Sequence, residues 1–193
     1  GPDEAMRDVS AMANLSARQP ILARAYRMER DGGDKIRVKI YSRSGSIPLS
    51  ACVPIFERMG FFVDFETGFP VRPTERPADD APETYWIHDV VMCTSNGTYI
   101  DLNAIRTTLE DAFVAVWSGR AENDGFNRLV LSAGASWRDA ALIRALAGYR
   151  RQSGMDQPQY VQETALSAYP GIARQLLDLF AVRFDPSREM SLA

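Results

Sequence analysis

Lys35-Ile36-Arg37-Val38-Lys39-Ile40-Tyr41 alternates charged and apolar side chains with a period of two. That pattern predicts a strand with one buried and one wet face. A chain containing it has to build a sheet and cover one side of it. The cover follows at once. Residues 42–46 form a loop around Gly45, and residues 48–59 then set Leu49, Val53, Phe56 and Met59 on one helical face, closed by Gly60 just past the end. Residues 61–66 and 85–92 are aromatic and β-branched and read as two further strands. Between them, residues 69–82 form an exposed excursion carrying Pro70, Pro73, Pro77 and Pro82. Residues 95–98 make a turn. Asp101 then caps a helix over residues 102–117, with Ile105, Leu109, Ala112, Phe113 and Val116 on one face.

The resulting order, β-α-β-β-α, is most of a ferredoxin-like βαββαβ unit and lacks its last strand. After Gly119 the pattern stays helical. Asp124 precedes Phe126, Leu129, Val130 and Leu131. Ser136-Trp137-Arg138-Asp139 is a capping-box pattern that opens a helix through Tyr149, and Pro158 and Pro170 suit the first turns of two more. Short connections predict an antiparallel helical bundle beside the α/β module. Upstream of the first strand, apolar residues at helical spacing (Ile21, Leu22, Ala25, Tyr26) predict an entry helix within residues 15–30, stopped by Asp31-Gly32-Gly33-Asp34. The Gly1-Pro2 start reads as the remnant of a cleaved expression tag. The fold class is therefore α+β, in three stretches: residues 1–34 (tag remnant and entry helix), 35–119 (α/β module) and 120–193 (helical segment).

Charge narrows the partners. With 22 basic and 25 acidic residues interspersed, net charge −3, the chain lacks the basic excess of a nucleic-acid surface. No apolar run reaches the length of a membrane span, so a cytoplasmic protein is expected. Cys52 and Cys93 sit in apolar runs, where thiols behave as small hydrophobes, and two cysteines lack zinc-site spacing.

Candidates for chemistry are few, and each has a structural alternative. His88, the one histidine, is a general base or a strand hydrogen-bonder. Glu122 and Asp124 are an acid/base pair or helix caps. Arg138, Arg144, Arg150 and Arg151 form an anion-gripping row, a solvated helix face or a packing contact. No glycine-rich phosphate loop, G-x-S-x-G elbow or H-E-x-x-H occurs.

Several short segments carry a resemblance. The run from Ala121 through Asp124-Gly125-Phe126-Asn127-Arg128 to Leu131, followed by Trp137-Arg138 and Tyr149-Arg150-Arg151-Gln152, resembles the large bacterial NAD-specific glutamate dehydrogenases. Pro48-Leu49-Ser50 with Pro54, Glu57, Met59-Gly60 and Val63, then Trp86-Ile87-His88-Asp89 and Arg183-Phe184-Asp185-Pro186, are similar to segments of that family in the same order. The resemblance implies a parent enzyme that oxidatively deaminates L-glutamate to 2-oxoglutarate and ammonia while reducing NAD. The matched region lies upstream of the catalytic dehydrogenase domain, so no catalytic or cofactor-binding residue is carried here.

The same resemblance makes residues 35–117 an ACT-like module. In that fold an amino-acid effector sits where the first strand meets the first helix, which corresponds here to Ser42, Arg43, Ser44, Gly45, Pro48, Leu49 and Ser50. Three roles stay open: a structural segment for homo-oligomer assembly and packing on the catalytic domain, an allosteric amino-acid sensor, and a freestanding binding protein.

Overall fold

The computed structural model describes residues 1–74, 81–94, 97–154 and 158–184. Four strands form one antiparallel sheet: β1 (Ile21–Tyr26), β2 (Lys35–Ser42), β3 (Phe61–Val71) and β4 (Tyr85–Thr94), in the order β1-β2-β4-β3. Two helices, α2 (Leu49–Arg58) and α3 (Leu102–Trp117), cover one face, and α1 (Pro2–Ala13) lies against the other. Strand β2 forms as expected, but its second face is not wet: Lys39 and Tyr41 are buried there, against Asp8 of α1. Ile36, Val38 and Ile40 point at α2 and α3 and join a core with Val90, Met92, Phe56 and Phe113, whose two rings stack at 4.9 Å.

The expected entry helix is corrected. Ile21 to Tyr26 is a strand, paired residue by residue with Ser42 to Arg37 of β2. Ile21, Ala23 and Ala25 alternate onto the main core while Leu22 turns to the opposite face, so the segment fits a period of two as well as 3.6. Pairing with β2 decides between them, and Pro20, just before the strand, costs no ladder hydrogen bond there. The strand that the β-α-β-β-α order lacks is thus supplied from the N-terminal side. In a βαββαβ unit the last strand lies beside the first, and β1 takes that place beside β2.

The proline-rich excursion begins later than expected. Phe69, Pro70 and Val71 continue β3 opposite Ile87, Trp86 and Tyr85, and an edge strand tolerates Pro70 because its missing N–H faces away from a partner. A bulge between Val63 and Phe65 takes up Asp64. Residues 75–80 of the excursion, 95 and 96 of the expected turn, and Asp185-Pro186 of the last motif lie outside the described residues.

The helical segment comprises a 3₁₀ turn (Gly125–Arg128), α4 (Leu129–Ala133), α5 (Trp137–Gln152), α6 (Gln159–Ala168) and α7 (Pro170–Phe184). Phe126, Leu129, Ile143, Ala147, Ala173 and Leu177 make its own core, while Val130, Leu131 and Trp137 pack into the core of the sheet module. Capping follows the sequence. Asp101 accepts hydrogen bonds from the amides of Asn103 and Ala104, and Ser136 with Asp139 forms a reciprocal capping box.

Candidate functional site

The loop from β2 to α2 is held down from beneath by one buried side chain. His88, on the helix-facing side of β4 and 3% exposed, accepts a hydrogen bond from the Ile47 amide through Nε2 at 3.0 Å. A nitrogen that accepts an N–H bears no proton, so the ring is neutral and its proton sits on Nδ1, 2.6 Å from Glu66 Oε1 of β3. Trp86 stacks beside the ring at 5.9 Å. A Cβ at Gly68, opposite His88 in the ladder, would come within 3.2 Å of the imidazole. Both ring nitrogens are committed, so His88 has no lone pair free for a substrate; its role is that of a strand hydrogen-bonder. Cys52 lies nearby in α2, its thiol pushed up to about 11 by burial and by the Glu66 carboxylate, which keeps it an unreactive thiol.

The expected effector residues divide around this anchor. Ser42 is buried at the end of β2, its hydroxyl accepting from the Ser44 amide. Arg43 is half-buried and its amide donates to the Pro20 carbonyl. Ser44, Pro48, Leu49 and Ser50 are exposed, and Gly45 has φ +111°, a left-handed backbone that accounts for the glycine without any close approach. Leu49, expected on the core face of α2, is 46% exposed, because it is the first residue of the helix and overhangs the core that Cys52, Ile55, Phe56 and Met59 fill. The loop is thus a surface turn fastened at Ile47. Ile47, Glu66 and Gly68 were not singled out from the sequence; the glycine within an otherwise aromatic strand was the available signal of a close approach.

Of the acidic pair and the arginine row, Asp124 and Arg144 resolve into local structure, while the Glu122 side chain is exposed. Asp124 caps the 3₁₀ turn through the Phe126 amide and receives a two-pronged contact from Arg144, at 2.6 and 2.8 Å. Arg144 also reaches the Asn127 side chain, whose amide group donates to the Glu122 carbonyl. These contacts, with Gln159, tie the 3₁₀ turn to α5 and α6. Arg138 lies over the Trp137 ring, and Arg150 and Arg151 are exposed. Among the described residues no group of three or more His, Cys, Asp or Glu side chains could hold a metal ion.

On the face of the sheet opposite α2 and α3, Glu4 and Asp8 of α1 meet Arg24, Lys39 and Tyr41. Farther along the same face Cys93, opposite Lys35, is half-buried near Asp64, and is thus less enclosed than its apolar run suggests. Beyond α1 the same face is bare. Phe62, Phe65 and Phe69 of the edge strand β3 are 54, 63 and 49% exposed.

Fold and site define an ACT-like α+β module fused to a helical motif. Residues 20–105, which include β1, match the family described as glutamate dehydrogenase, ACT3 domain, and residues 121–186 match glutamate dehydrogenase, helical motif 3. The NAD-specific glutamate dehydrogenase of Halomonas elongata is 35% identical over 183 residues, 95% of this chain, and that of Pseudomonas aeruginosa 36% identical over 190 residues, 98% of it. The enzyme of Mycobacterium tuberculosis is 30% identical over 191 residues, 96% of the chain. The chain belongs to this glutamate dehydrogenase family, as a region spanning 11% of the length of each of these relatives. No helix among the described residues is long and apolar enough to cross a membrane.

Proposed function

We propose that this region is a non-catalytic architectural segment of a cytoplasmic NAD-dependent glutamate dehydrogenase, which deaminates L-glutamate to 2-oxoglutarate and ammonia, and that it serves subunit assembly and packing on the catalytic domain. The observation that carries the proposal is the row Phe62, Phe65 and Phe69. Three phenylalanines in water on one sheet face, along an edge strand with unpaired backbone groups, are an interaction surface awaiting cover. Of the candidate acid and base groups, His88 and Asp124 are instead spent on internal contacts.

Phe65→Asp in the full-length protein tests this. The variant is expected to sediment as a smaller species or to melt at lower temperature, since a carboxylate cannot enter an apolar interface without desolvation. Unchanged sedimentation and melting would overturn the proposal.

A second reading, an amino-acid effector on the loop, is favoured by the exposure of Ser44, Pro48 and Ser50 at the start of α2, where no side chain caps the helix. It predicts a melting temperature that rises selectively with one amino acid at millimolar concentration and no longer does so after Ser50→Pro.

A further inference from the structure

α7 carries apolar side chains around more than half of its circumference. Ala173, Leu177 and Phe180 turn inward, with Ala173 and Leu177 buried in the helical core. Ile172, Leu176, Leu179 and Val182, spaced four, three and three residues apart, form a second seam on the outward side, and Ile172, Leu179 and Val182 are 50, 63 and 55% exposed. A helix with one core to serve needs one stripe; two stripes are the pattern of a helix enclosed from both sides. Through Leu176 the outer seam runs into a groove of about 440 Å³ between α5, α6 and α7, lined by Ile143, Leu146 and Leu166. Groove and seam together offer the kind of continuous apolar surface on which an amphipathic helix lays its apolar face.

Its charge and setting select the occupant. Arg150 lines the groove and Arg183 stands at the far end of the seam, both exposed. Two copies meeting through this face would bring their arginines together, whereas a helix with acidic residues beside its apolar seam would pair with them. The relatives are about nine times longer than this region, since it covers 11% of each, so one polypeptide supplies ample chain for the contact. We propose that the outward face of α7 seats an acidic-flanked amphipathic helix contributed by another part of the same polypeptide. The proposal rests on the architectural reading and names one of its partners.

The test places the photo-crosslinking residue p-benzoylphenylalanine at Leu179 in the full-length protein, followed by irradiation, electrophoresis and peptide mapping. The expected product keeps the mass of a single chain and joins Leu179 to a peptide outside these 193 residues that bears Asp or Glu beside a three-and-four apolar spacing. A product of doubled mass would show a second copy on this face and overturn the proposal. A product confined to peptides within the region, or no product at all, would overturn it equally. The Phe65→Asp experiment reads a different face, so its positive outcome with no crosslink at Leu179 would sink this inference and leave the architectural reading standing.

Discussion

At the scale of single residues, His88 shows how a chemically versatile side chain is spent on structure. Its two nitrogens join β4 to β3 through Glu66 and to the β2–α2 loop through Ile47. Removing it strands a carboxylate and an amide in a buried setting, so His88→Ala is expected to cost roughly 2–4 kcal/mol in urea denaturation. A loss below about 0.5 kcal/mol would match an ordinary surface change and contradict the assigned role. Gly68→Ala probes the same contact from the other strand. Its methyl group would meet a ring held on two sides, and the double variant with His88→Ala should lose less stability than the two single losses added. Ser136→Ala removes half of a capping box and should cost about 1 kcal/mol. That cap was legible because its chemistry lies within four consecutive residues. The partners of His88 were not, because residues 47 and 66 are brought to it only by the ladder and the loop.

At the scale of elements, the strands and helices with a single consistent period were readable, and the ambiguous ones were settled by their neighbours. β2, α3 and α5 carry unambiguous patterns or caps. β1 offered both periods, and its pairing with β2 outweighed a helical pattern that Ala and Leu satisfy equally well. α1 is held differently from the rest. It has no fully buried residue, and its N-terminal half is gripped by the ion pairs of Glu4 and Asp8 while only Ala11 and Met12 pack on apolar side chains. Burial alone would raise the Glu4 carboxyl, but the hydrogen bonds and charges of Lys39 and Arg24 outweigh it and hold Glu4 below the usual carboxylate range. A group depressed on folding contributes stability that is present above its unfolded value, about 4.3, and is lost as pH falls through the folded one. Amide exchange in α1 should therefore accelerate below about pH 4 while α3 stays protected, and equal protection of both helices at that pH would contradict the ion-pair attachment.

At the scale of the whole molecule, the architecture divides its surface into faces with cover and faces without. α2 and α3 enclose one side of the sheet, α1 encloses half of the other, and the aromatic row on β3 and the outer seam of α7 are left in water. The module and the helical motif share core residues across their junction, so the two faces belong to one packed unit. Short motifs in a fixed order carried the resemblance to the family, while the two bare faces became visible only with strand pairing and burial in place. The most direct measurement is hydrogen exchange along residues 61–71 and 170–184, comparing the isolated region with the full-length protein. The account predicts that both segments become more protected in the full-length chain while the loop over residues 42–50 does not change. Equal exchange of both segments in the two settings would contradict it.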